Sequence, residues 1–135
     1  MKKYLHLSIL LSFLTVHFVF SAEPIISNIL PRGGQAGSEL KGVVSGQRLG
    51  DAEEIFFYDK GIRALDLNVS GEKSVHAKFR ISETARLGQH EMRLRTKSGI
   101  STVKTFWVGP YPNFHEKEPN TSFEEAQKVS LNRTI

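Results

Sequence analysis

Ser74-Val75-His76-Ala77-Lys78-Phe79-Arg80-Ile81 alternates polar with apolar residues over eight positions without a break. A period of two belongs to a β-strand, because successive side chains there point to opposite faces. Val75, Ala77, Phe79 and Ile81 form a core face, and Ser74, His76, Lys78 and Arg80 form a face turned to water.

The same reading extends upstream. Leu65, Leu67 and Val69 share one parity against Asp66, Asn68 and Ser70, which predicts a half-buried strand, and Gly71-Glu72-Lys73 closes a hairpin onto the 74–81 run. Ile55, Phe56, Phe57 and Tyr58 leave both faces of the 54–58 run apolar, so that strand is expected in the centre of its sheet, followed by a turn at Asp59-Lys60-Gly61. Two earlier runs span 25–30 and 39–45. Between them Pro31 and Gly33-Gly34-Gln35-Ala36-Gly37 predict a tight turn. Gly42, inside the second run, marks a bulge or a close approach of neighbouring chain.

Downstream, Met92 and Leu94 point inward while Glu91, Arg93 and Arg95 point outward. Ser98-Gly99 leads into a last strand, 100–108, where Phe106 and Val108 share a parity and Trp107 faces solvent or a neighbouring domain. Short strands at this spacing, with no competing amphipathic helix, predict an all-β, immunoglobulin-like β-sandwich of about seven strands.

Lys2 and Lys3 precede an uncharged, mostly apolar run from Leu5 to Phe20, ended by Glu23 and Pro24. Residues 1–22 therefore read as a secretory signal peptide, with cleavage after Ser21 favoured over Ala22. His6, Ser8, Ser12, Thr15 and His17 interrupt the run, which is short for a spanning helix, so stable membrane insertion after cleavage is not expected. The expected compartment is the periplasm, cell surface or medium. The chain has no cysteine, so its stability outside the cytoplasm must come from an apolar core and not from disulfides. Removing Lys2 and Lys3 from the 18 basic residues leaves 16 against 14 acids, an excess too small to argue for nucleic acid.

Residues 23–108 are read as the sandwich, and Gly109-Pro110-Tyr111-Pro112 opens a stiff linker, 109–118. Ser122-Phe123-Glu124-Glu125 has capping-box spacing, predicting a helical turn through Ala126 and Gln127. Residues 129–135 look like a strand with nothing to pair against, so 119–135 is read as the truncated start of a second β-sandwich.

Pro24-x-Ile26-x-x-Ile29-x-Pro31-x-Gly33-Gly34-x-x-Gly37, with Val44-Ser45-Gly46, Gly99-Ile100-Ser101 and Phe106-x-Val108, resembles the TIG (IPT) immunoglobulin-like family across residues 24–108. That resemblance implies a seven-stranded sandwich used for binding or spacing and transfers no catalytic residue. From Glu116, Glu-Lys-Glu-Pro-Asn-Thr-Ser-Phe-Glu-Glu-Ala is similar to the opening of the bacterial pre-peptidase C-terminal domain. Together behind a leader, the two resemble the front of large exported proteins of planctomycete-type bacteria. The second resemblance implies that Glu116, Glu118 and Asn120 form part of a calcium site, completed by residues beyond Ile135. Oxygen ligands of this kind suit a hard cation; the same residues also read as a solvated charged linker. No cofactor other than this calcium is implied.

Catalytic signatures are missing. His90-Glu91 and His115-Glu116 lack the second histidine of H-E-x-x-H, no G-x-S-x-G elbow occurs, and without cysteine there is no thiol nucleophile. Lys78, Arg80, Arg93 and Arg95 offer a basic stripe or an ordinary solvated sheet face. Trp107 and Tyr111 are candidates to hold a ligand or to pack the two domains together. The expected function is a non-catalytic binding or spacer module of an exported bacterial protein, with a protein or polysaccharide ligand. The alternative is the N-terminal accessory region of a secreted hydrolase, most plausibly a protease, whose catalytic domain lies elsewhere.

Overall fold

A computed structural model describes residues 23–134. The expected signal peptide, 1–22, lies outside the described residues. Eight strands run in chain order: β1 Ile25–Leu30, β2 Gly33–Gln35, β3 Glu39–Gln47, β4 Ala52–Phe57, β5 Ile62–Val69, β6 Ser74–Ile81, β7 Gly88–Thr96 and β8 Lys104–Gly109. A single 3₁₀ turn, Gly71–Lys73, joins β5 to β6. No helix among the described residues is long and apolar enough to cross a membrane.

The strands form two four-stranded sheets, ordered β1-β3-β6-β5 and β2-β8-β7-β4. Lettered from A for β1, with β2 as an extra A′, the first sheet reads A-B-E-D and the second carries C-F-G, the order of an immunoglobulin constant-type sandwich. The chain is an all-β, immunoglobulin-like sandwich. Its sheets meet over a core of Val44, Val75 and Phe79 from one side and Met92, Leu94 and Phe106 from the other, all fully buried. Phe79 and Phe106 lie with ring centroids 5.3 Å apart, and Phe57 sets its edge to both at 6.0 and 5.6 Å. This aromatic triad, contributed by the strands lettered C, E and G, bridges the two sheets in a chain that has no disulfide.

The alternating face of β6 is buried at Val75, Ala77, Phe79 and Ile81, as its period requires. Gly42 on β3 leaves room for the Phe79 ring, because a Cβ there would come within 2.4 Å of Cε2.

Several expectations change. The 54–58 run is not central: β4 is the edge of its sheet. Ile55 and Phe57 face the core, whereas Phe56 and Tyr58 pack edge to face on the outside at 5.7 Å, with the Arg93 guanidinium 6.0 Å from the Tyr58 ring. An aromatic-cation cluster, not a second covering layer, accounts for the apolar outer face. In β5 the inward set is Ile62 and Ala64, then Leu67 and Val69. The parity flips at Asp66, which sits at φ +52° where the register against β6 shifts, and Leu65 goes to the other face. The run 100–108 is not one strand: Ile100 makes an isolated bridge to Arg95 and β8 begins at Lys104. Between them the buried Ser101 hydroxyl accepts from the Leu94 N–H and donates to the Thr102 carbonyl, both at 2.9 Å, replacing ladder bonds.

Beyond β8 the capping box makes a turn and no helix, with Glu125 N–H donating to the Ser122 carbonyl at 3.2 Å. A short helix needs an apolar stripe to bury, and Phe123 is 92% exposed. The 129–135 segment does find a partner, since Thr134 bridges Asn113 in parallel.

Candidate functional site

The alternation of β8 decides the site. Phe106 and Val108 enter the core, so Trp107 between them turns outward and is 54% exposed. The Gly33-Gly34 pair, expected in a tight turn, is instead the short edge strand β2, lying parallel on β8 with Gly33 opposite Trp107. The glycines permit this contact. A Cβ on Gly33 would fall 2.2 Å from the Trp107 carbonyl oxygen, and one on Gly34 would fall 2.3 Å from Leu40 Cδ2. The Trp107 backbone N–H donates to the Arg32 carbonyl at 2.9 Å, which fixes the Arg32 backbone against β8.

The chain leaving β8 then folds back along β2. Ala36 N–H donates to the Gly109 carbonyl at 2.9 Å, Gln35 Nε2 to the Pro110 carbonyl at 3.1 Å, and Asn113 Nδ2 to the Gly33 carbonyl at 2.7 Å. Phe114 N–H donates to the Thr134 carbonyl at 2.7 Å, joining the C-terminal segment to the same edge.

Two grooves result. The first, about 490 Å³, lies between Arg32 and Trp107 on one side and Asn113, Phe114, His115 and Thr134 on the other. The second, about 330 Å³, lies between Ser27 and Asn28 of β1 and Lys104 and Thr105 of β8. Arg32 and Trp107 line both. Trp107 therefore lines two depressions, a mainly apolar one toward β2 and Phe114 and a more polar one toward β1.

Of the two aromatic residues singled out from sequence, Trp107 lines both grooves and Tyr111 lines neither. Tyr111 is 43% exposed, and its carbonyl accepts from Thr134 Oγ1 at 3.3 Å. Arg32, Lys104 and Asn113 join the site through strand pairing that no local pattern announces. His115, weighed in sequence only as part of a His-Glu pair, also belongs to it.

Glu116, Glu118 and Asn120 are brought together on an exposed loop. Asn120 Nδ2 donates to Glu116 Oε1, and Asn120 N–H donates to Glu118 Oε2 at 3.1 Å. Calcium takes about six to eight oxygens, and here the amide presents hydrogens to a carboxylate. Among the described residues the three do not by themselves fit the ion.

His90 is fully buried in β7, and alternation sends Glu91 to the outer face. His90 Nε2 lies 2.6 Å from the Arg86 carbonyl. Its Nδ1 is 3.0 Å from Asp59 Oδ2 but off the hydrogen-bond direction. Arg86 Nη2 donates to Asp59 Oδ2 at 2.8 Å and to the Gln89 carbonyl at 2.6 Å. The cluster ties the turn at Asp59 to the turn at Arg86.

The basic stripe is largely neutralised. Lys78 lies 3.3 Å from Asp66 and 3.7 Å from Glu39, Arg80 pairs with Glu39, and Arg95 pairs with Glu53 and Glu54. The hydrogen bond from Arg80, reinforced by the charges of Arg80 and Lys78, outweighs desolvation and holds the Glu39 carboxyl below the ordinary glutamate range.

No protein-family model matches the chain, and no curated protein sequence matches it. Among solved structures, SGBP-B of the Bacteroides ovatus mixed-linkage glucan utilization locus, in complex with mixed-linkage heptasaccharide, is 14% identical and aligns with a TM-score of 0.45. The alignment covers 67% of this chain and 23% of that one, so the chain spans less than a quarter of that protein's length.

Proposed function

We propose that the sandwich is a non-catalytic binding module of an exported bacterial protein, and that its ligand is a polysaccharide strand laid across Trp107. The observation that carries the reading is the outward Trp107, which lines two open grooves with polar groups among their walls. A pyranose ring has an apolar C–H face that packs on an aromatic plane, while its equatorial hydroxyls need donors and acceptors around the rim. Asn113, His115 and Thr134 supply such groups in one groove and Ser27, Asn28 and Thr105 in the other. Grooves open on both sides of the indole suit a polymer that continues past the contact, more than a small ligand that ends in a closed cavity.

The leader read in residues 1–22 supports delivery to a compartment where such polymers occur. The TIG-type pattern of 24–108 and the pre-peptidase-type opening after it agree with an accessory role. Attached ahead of a hydrolase, the same grooves would hold that enzyme's polymer substrate.

Electrophoresis of the purified chain through gels containing soluble polysaccharides tests the reading. Retardation by at least one polymer is expected, with loss of about tenfold or more in affinity on Trp107→Ala and no change in the thermal unfolding midpoint beyond a few degrees, since the side chain lies outside the core. Retardation that survives Trp107→Ala, or none across the panel, overturns the assignment.

A further inference from the structure

We infer that the polymer taken by the Trp107 grooves is anionic, a glycan bearing carboxylate or sulfate groups that Arg32 and Lys104 recognise. This rests on the reading of the grooves as a glycan site and adds the class of glycan. The distribution of charge is the argument. Arg32 and His115 line the first groove and Arg32 and Lys104 the second, and neither groove is lined by an aspartate or glutamate. Other depressions on the sandwich mix signs. Glu39 and Glu83 stand with Arg63 and Arg80 in one, and Glu72 stands with Arg48 and Lys73 in another.

Lys78, Arg80, Arg86 and Arg95 are each matched by a carboxylate on the sandwich surface. Among the described residues Arg32 and Lys104 make no ion pair, a state they share with cations elsewhere on the sandwich such as Lys41, Arg63 and Lys97, so what sets the grooves apart is the absence of any carboxylate in their walls. The Arg32 backbone is held by the Trp107 backbone N–H, and Arg32 lines both grooves with Trp107. A guanidinium offers a planar fork that matches a carboxylate or sulfate. An acidic substituent on a sugar held at Trp107 would meet Arg32 in either groove and Lys104 in the second. The overall positive excess is small, so the attraction is local to the grooves and not a property of the whole surface.

The test measures affinity of the purified chain for polygalacturonate, a sulfated galactan, neutral mixed-linkage β-glucan and single-stranded DNA, at low and high salt. Arg32→Gln, Lys104→Gln, Asn28→Asp and Trp107→Ala are compared with the parent, and thermal unfolding confirms that each is folded. The expected result is binding of at least one acidic glycan that weakens with salt, falls by about fivefold for each charge variant, and is lost in Trp107→Ala. Asn28→Asp adds a carboxylate of nearly unchanged shape to the second groove and weakens the same binding without disturbing packing. If neutral glucan binds as well as the acidic polymers and the charge variants are silent, the anionic inference fails while the glycan site stands. Equal retention of DNA also overturns it, because charge alone is then being read. Binding of none of the polymers removes both readings.

Discussion

Gly42 shows how much one missing side chain decides. Its place in a strand pattern marks either a bulge or a close approach, and the structure selects the approach: the Phe79 ring occupies the space a Cβ would fill, at 2.4 Å. Phe79 is fully buried and held by two other rings, so it has little freedom to retreat. Gly42→Ala is therefore expected to lower stability by about 1–3 kcal/mol through overpacking, read as a lower urea midpoint with unchanged slope. An unchanged midpoint would mean that the ring shifts freely. Trp107 is the opposite case, because its exposure follows directly from the parity of Phe106 and Val108 and was legible from three residues. Its partners Arg32 and Asn113 were not, since they reach the site through pairing across long stretches of chain.

At the scale of elements, the sequence pattern holds where alternation is unbroken and misleads where a strand changes register. β6 alternates throughout and is buried as read. In β5 the left-handed Asp66 inserts an extra residue, so a single parity cannot describe the strand. A β-branched side chain is strongly disfavoured at that backbone angle, and Asp66→Val is expected to cost about 1–2 kcal/mol, whereas Asp66→Gly is expected to be close to neutral. Calorimetry of the pair checks this, and equal midpoints would remove the bulge as a determinant. Between β3 and β6, Glu39 sits opposite Arg80 in the register, which explains its depressed titration. A carboxyl whose folded-state value is lowered adds stability above the ordinary glutamate value of about 4.3, and this is lost as pH falls through the folded-state value. The stability difference between the parent and Glu39→Gln should thus be present at neutral pH and vanish in strong acid. A difference independent of pH would point to packing instead.

For the whole molecule, the two sheets are joined without a disulfide, and the Phe57-Phe79-Phe106 triad carries that junction. Phe79→Ala removes the ring that touches the other two and is expected to cost about 3–5 kcal/mol, a large share of the stability of a domain this size. Chemical denaturation measures it, and a loss under about 1 kcal/mol would show that the sheets hold together by other means. The same junction places the edge strand β1 beside the start of β8 that the short β2 leaves uncovered, which is how one groove comes to be lined from both sheets.

The sequence by itself determined the all-β class, the inward and outward faces of β6, β7 and β8, the outward tryptophan and the absence of any familiar catalytic motif. Each of these rests on a local cause, the two-residue period of an extended chain at an apolar boundary or the residue types a motif requires. Only the tertiary structure decided that β4 is an edge, that β5 changes face at Asp66, that Gly33-Gly34 is a strand and not a turn, and that Arg32, Lys104 and Asn113 gather around Trp107. Those facts depend on which strands pair and in what register, and pairing is chosen by the summed burial and hydrogen bonding of the whole chain, a quantity no single segment contains.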